Sequence, residues 1–189
     1  MFWICGDSIV KWAAKHALEV VKDVQLGFGD DAEIVWKGKG GTYLVNLLPS
    51  LLDEISMASI KPDAIIIHCG TNDLGTVQHH VIQRTLKQAV GDIRHCFPDI
   101  LILWSDIIPR RSYKIARSNV KLDKARKKVN TYACKLLTGP MGGTISHDIS
   151  YRQPNMYFPK DEVHLSGEGN AVLVEEWRRA IVEYLAVWR

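Results

Sequence analysis

Nothing in these 189 residues resembles a membrane-spanning helix, because every apolar run falls far short of the roughly 18 residues a span needs. Cysteine is scarce. Cys5, Cys69, Cys96 and Cys134 form no CxxC pair, which excludes a dense disulfide framework and a thiolate zinc site. Reduced thiols in an intracellular, cytoplasmic setting are therefore the expectation. Charge of one sign is lacking too. Lys and Arg total 24 against 21 Asp and Glu, a net +3 that implies no nucleic-acid partner unless the charges cluster locally. Internal repeats, low-complexity tracts and linkers are missing, so residues 1–189 are expected to form a single domain. A core strand already begins at residue 2, which argues against a secretory leader and suggests a domain belonging to a longer polypeptide.

What is present has globular proportions, with 47% apolar and 24% charged residues, enough for a full hydrophobic core. Short apolar runs alternate with longer segments of helical period. Phe2–Cys5, Glu33–Trp36, Ala64–Cys69, Ile100–Ile108 and Thr144–Ile149 read as strands, the last with the weakest pattern. Helices are expected over Ile9–Val24, Leu44–Met57, Val77–Cys96, Tyr113–Leu137 and Gly167–Val187. The unbroken run Ala64–Cys69 suggests burial on both faces. Such alternation implies βαβ crossovers and a parallel sheet covered on both sides, a three-layer α/β architecture.

In open parallel sheets, ligands bind at the carboxyl ends of the strands, near the point where strand order reverses. Three polar clusters fall at that edge. The first strand ends in Gly6-Asp7-Ser8, which places Ser8 at a helix start. Unpaired N–H groups and the positive dipole end favour a developing negative charge there. A lone serine at this place is equally a preferred N-cap. The third strand ends in Gly70-Thr71-Asn72-Asp73, where Asn and Asp are ordinary turn residues when read singly. Asp161-Glu162-Val163-His164 precedes the last helix. An Asp three residues before a His can fold back and hold the imidazole in one tautomer, although such a pair is also common on solvated loops. Together the clusters offer a nucleophile, a base, an orienter and a side-chain amide donor.

Taken as a set, they resemble the SGNH (GDSL-type) serine hydrolase family, whose four motif blocks carry Ser, Gly, Asn and His. Gly6-Asp7-Ser8 matches the first block, with Ile9 in place of the usual Leu. Gly38-Lys39-Gly40-Gly41-Thr42 follows the second strand, where the family places an oxyanion-hole glycine; the pattern favours Gly41, with Gly40 and Gly38 as other registers. Gly70-Thr71-Asn72-Asp73 and Asp161-Glu162-Val163-His164 match the third and last blocks. The likeness runs from Phe2 to about Val187 with the blocks in the family's order. It implies a five-stranded parallel sheet in the flavodoxin-like order 2-1-3-4-5. It also implies an ester hydrolase for short acyl, acetyl-type esters, with no cofactor and no metal. In that mechanism Ser8 is the nucleophile, His164 the base and Asp161 its orienter, while the Ser8 and Gly41 N–H groups and the Asn72 amide form the oxyanion hole. Asp7 then reads as a brace of the turn, His68 as a satisfied core histidine, and His79-His80 as a border of the substrate site. No GxSxG elbow is present, which argues against an ordinary α/β-hydrolase.

Cations cluster in one region. Arg110, Lys114, Arg117, Lys121, Lys124 and Lys128 recur at spacings of 4, 3, 4, 3 and 4, one stripe on a helix, with Arg111, Arg126 and Lys127 beside it. The stripe is either a solvated face or a site for RNA, DNA or an anionic membrane surface, contacted through Lys114, Arg117, Lys121 and Lys124. The Cys5-Gly6-Asp7-Ser8 run and the Trp36-x-Gly38-x-Gly40-Gly41 segment are similar to esterase domains in first-reading-frame proteins of vertebrate LINE-type retrotransposons. That likeness implies neighbouring coiled-coil or nucleic-acid-binding segments. The competing function is an SGNH-scaffold binding module for anionic lipid or RNA, with weak or incidental esterase activity.

Overall fold

Every residue of Phe2–Gly6, Ala64–His68 and Leu101–Ser105 is buried, as continuous apolar runs dictate for the central strands of a parallel sheet. The computed structural model describes residues 1–113 and 118–188. Strands β1 (Phe2–Gly6), β2 (Ile34–Gly38), β3 (Ala64–His68), β4 (Leu101–Ser105) and β5 (Gly142–Ile145) form a single parallel sheet in the order β2-β1-β3-β4-β5. Side chains alternate across it. Phe2, Ile4, Ile66 and Leu103 enter one core beneath α1 (Ser8–His16) and α5 (Gly167–Trp188). Trp3, Cys5, Ile65, Ile67 and Trp104 enter the other, beneath α2 (Leu44–Met57), α3 (His79–Cys96) and α4 (Asn119–Leu136). This is the expected three-layer α/β sandwich in the expected strand order.

Boundaries depart from the apolar pattern at instructive places. The first helix does not run to Val24; after His16 it widens into a π-helical turn, Ala17–Val21. Within that turn Ala17 is buried and Leu18, Val20 and Val21 are exposed. Strand β5 lies at Gly142–Ile145 and not at Thr144–Ile149, because its pairing with β4 begins at two glycines that carry no apolar signal. Tyr113 does not start α4. That helix begins at Asn119, where the Ser118 hydroxyl accepts the Lys121 N–H at 3.4 Å. Lys114 and Arg117 lie outside the described residues.

The topology gathers the polar clusters at one edge. The crossovers from β1 to β2 and from β2 to β3 place β1 between its two neighbours, and Gly6 is registered with Gly38 on one side and His68 on the other. The chain segments leaving β1, β2 and β3 therefore meet at the switch point. Among the described residues, no helix is long and apolar enough to cross a membrane.

Candidate active site

Asp7, not Ser8, is the N-cap of α1. Its wholly buried carboxylate accepts the Ile9 N–H at 2.9 Å and the Thr71 hydroxyl at 2.8 Å. Ser8 is thereby the first helical residue, and its side chain is released from capping. Ser8 Oγ lies 3.0 Å from His164 Nε2, and His164 Nδ1 lies 2.7 Å from Asp161 Oδ2. The other Asp161 oxygen accepts the backbone N–H groups of Val163 and His164 at 2.9 and 3.0 Å. Burial works to raise this carboxyl, but the bonds from the His164 ring and the two N–H groups outweigh it and hold Asp161 below its ordinary value. An ionised Asp161 accepts a hydrogen bond from His164 Nδ1–H, which leaves the Nε2 lone pair facing the Ser8 hydroxyl. The loop between them is braced at Glu162, a non-glycine residue at φ +54°. Its carbonyl accepts the N–H groups of Arg111 and Ser112, and its carboxylate pairs with Arg111 Nη1 at 2.9 Å.

The turn after β3 is tied to the loop after β2 by two polar contacts. Asn72 Nδ2 donates to the Thr42 carbonyl at 2.9 Å, and the buried Asp73 carboxylate accepts the Leu44 N–H at 3.0 and 3.2 Å, capping α2 from a distance. Burial raises the carboxyls of both Asp7 and Asp73, while the hydrogen bonds from Ile9 and Thr71 to Asp7 and from Leu44 to Asp73 work against it. Within the loop, Gly41 adopts φ +73°, a conformation that favours glycine, and lines the same cavity as Gly40. Gly38 plays a different part: a Cβ there would approach Lys11 N to 2.3 Å, so this glycine lets β2 pack against α1. The cavity measures about 510 Å³ and is lined by Ser8, Gly41, Asn72 and His164 together with Trp12 and Tyr43. Trp12 is exposed at its rim, edge-on to the His164 ring with centroids 6.1 Å apart.

Several sequence expectations are corrected here. Arg110 is no part of a helical stripe; it lines the cavity, and its Nη2 donates to Asn72 Oδ1 at 2.9 Å. Arg111 is taken by Glu162, and Arg126 by Asp123 at 2.8 Å and by the Ile107 carbonyl. The exposed row on α4 thus reduces to Lys121, Lys124 and Lys128, with Lys127 paired to Asp123. His79 and His80 open α3 and do not line the cavity. His68 is buried but only half satisfied, with Nδ1 2.8 Å from Ser105 Oγ and Nε2 without a partner among the described residues.

Sequence reasoning missed a second Ser–His–carboxylate set. Ser105 Oγ lies 2.7 Å from His147 Nε2, and His147 Nδ1 lies 2.6 Å from Glu176 Oε2. The Trp177 indole N–H also donates to Ser105 Oγ, at 2.9 Å. Ser105 and the His147 ring are enclosed under α5, while Glu176 keeps 15% of its side chain exposed. Among the described residues, no group of three His, Cys, Asp or Glu side chains is placed to hold a metal ion.

No protein-family model matches this sequence, and no curated protein matches it either. Solved structures do. A GDSL-like lipase from Bacteroides thetaiotaomicron is 15% identical, with a TM-score of 0.74 over 97% of this chain and 88% of that one. A carbohydrate esterase family 3 protein from Talaromyces cellulolyticus is 14% identical, with a TM-score of 0.72 over 100% of this chain and 99% of the other. An acetyl esterase serine-to-alanine mutant with acetate ion is 13% identical, with a TM-score of 0.73 over 100% and 99%. What is shared at these identities is the fold, a five-stranded parallel sheet between layers of helices, spanned almost end to end.

Proposed function

We propose that this chain is a serine ester hydrolase of the SGNH (GDSL-type) class acting on short acyl esters, acetyl esters first among them. The observation that carries the reading is the hydrogen-bonded line Ser8–His164–Asp161, opening on a cavity that Asn72 and Gly41 also line. Ser8 Oγ attacks the ester carbonyl while His164 Nε2 takes its proton. Asp161 holds the imidazole and stabilises the imidazolium. The carbonyl oxygen, now an oxyanion, is met by the N–H groups of Ser8 and Gly41 and by the Asn72 amide, each worth about 3 kcal/mol in the transition state. Collapse expels the alcohol, which takes the proton back from His164. Water then repeats the sequence on the acyl-serine, releasing the acid and restoring Ser8. No cofactor enters any step.

The acetyl preference is supported by the acetyl and carbohydrate esterases that share the fold. Initial rates on p-nitrophenyl acetate, butyrate and octanoate test it: turnover fastest on acetate and lost in Ser8→Ala supports the reading, and turnover unaffected by Ser8→Ala overturns it. A finer placement among esterase domains of LINE-type first-reading-frame proteins rests on the Cys5–Ser8 and Trp36–Gly41 segments alone. An anionic partner, membrane or RNA, is favoured by one observation, the exposed row Lys121, Lys124 and Lys128.

A further inference from the structure

Arg110 is, among the described residues, a cation without an acid in contact. Among the described residues its one hydrogen-bonded partner is neutral, the Asn72 side-chain oxygen at 2.9 Å from Nη2, while Nε is buried with no partner. Asp7 and Asp161 act on it only from a distance. A largely enclosed guanidinium is costly to desolvate, and an ordinary structural arginine is repaid by a carboxylate. This one is spent on an amide, with the Tyr113 ring centroid 5.9 Å from its Cζ.

The amide is held at both ends. Arginine can only donate and the Thr42 carbonyl can only accept, so both contacts demand the same orientation of Asn72. Oδ1 faces Arg110 and Nδ2 faces Thr42. The flipped amide would set its NH2 against the guanidinium and its oxygen against the Thr42 carbonyl. It would also turn a lone pair, instead of a donor, toward the cavity. In the orientation held, one Nδ2 hydrogen goes to Thr42, and the second has no acceptor among the described residues. A cation on Oδ1 also draws electron density from the nitrogen, which makes the remaining N–H a stronger donor.

We infer that Arg110 is a positioning residue of the oxyanion hole: it fixes and polarises the Asn72 amide so that the free N–H meets the negative charge formed during acyl transfer. This rests on the hydrolase reading above. Its effect belongs to the transition state, so kcat should fall while KM stays put.

The test is a double-mutant cycle on purified, folded protein with p-nitrophenyl acetate. Asn72→Ala should lower kcat about 100–1000-fold. Arg110→Met should lower it about 10–100-fold with KM within about threefold, and Arg110→Lys, which keeps a donor and a charge, should recover part of the loss. Because Arg110 acts through Asn72, the double variant should be no worse than Asn72→Ala alone, within about threefold. The inference is overturned if Arg110→Met stays within about threefold of wild type, or if its loss multiplies in full with that of Asn72→Ala. Should Arg110→Met fail to fold, as judged by its melt, Arg110→Ala, which likewise removes the charge and the donor, takes its place in the same cycle under the same two criteria. A wild-type protein that turns over no ester overturns the hydrolase reading itself; an active wild type with independent losses overturns only the role of Arg110.

Discussion

Ser105 Oγ lies 2.7 Å from His147 Nε2, a closer approach than the 3.0 Å between Ser8 Oγ and His164 Nε2. Both histidines are backed by a carboxylate, Glu176 at 2.6 Å and Asp161 at 2.7 Å. Hydrogen-bond geometry therefore does not tell the two sets apart. Access does: Ser105 has no exposed surface and its oxygen already takes the Trp177 N–H, whereas Ser8 lines the cavity. One set opens on the cavity, and the other ties β4, the loop after β5 and α5 together.

Ser105→Ala should accordingly leave kcat on p-nitrophenyl acetate near wild type per folded molecule. It leaves the Trp177 N–H and the two facing histidine nitrogens without their shared partner, so stability should fall by about 2–4 kcal/mol. Urea unfolding reads the loss. An unaltered midpoint, or a collapse of kcat in protein that melts normally, would contradict the assignment.

The buried His68 predicts how stability depends on pH. Burial, followed by the charges of His147 and Arg110, pushes its pKa well below the ordinary 6.5. Below pH 6.5 the unfolded chain binds a proton that the native state refuses, so stability is fully present above that value and falls as pH drops below it. One such proton gives a slope approaching ~1.4 kcal/mol per pH unit. Asp7 and Asp73, whose carboxyls burial raises, act in the opposite sense at lower pH. Comparing urea unfolding at pH 7.5 and 5.5 for wild type and His68→Asn isolates the histidine. The variant should lose less stability across that interval; an equal loss would sink the argument.

Asp7→Ala separates bracing from chemistry. It removes an N-cap worth about 1 kcal/mol and orphans the buried Thr71 hydroxyl at a further 1–3 or so. Release of a buried carboxylate offsets part of this, so a net loss of about 1–3 kcal/mol is expected in unfolding experiments, with kcat of the folded fraction within about tenfold of wild type. A wild-type melt combined with a thousandfold loss of kcat would place Asp7 in the catalytic step instead.

The sheet was legible in the sequence because β1, β3 and β4 are buried on both faces and so need unbroken apolar runs. Ser8 and Asn72 were legible as residue types just after strand ends, which a parallel sheet brings together, and Asp161 and His164 as an Asp three residues before a His ahead of the last helix. Arg110 was not. Its spacing to Lys114 and Lys121 mimics a helix face, yet the chain from Ile107 to Tyr113 is not helical, and the partner that gives Arg110 its meaning is 38 residues away. The Ser105–His147–Glu176 line is hidden for the same reason, its members separated by 42 and 29 residues with no local pattern. The π-helical turn after His16 escaped because apolar spacing reports a period, not a one-residue change within it.

The central claim, that Ser8 and not Ser105 is an activated nucleophile, is tested most directly by covalent labelling with a fluorophosphonate probe, read by intact mass and peptide mapping. The account predicts one adduct per chain on Ser8, retained in Ser105→Ala and absent from Ser8→Ala. Folded wild-type protein that takes up no probe, or a Ser8→Ala variant labelled as fast as wild type, would contradict it.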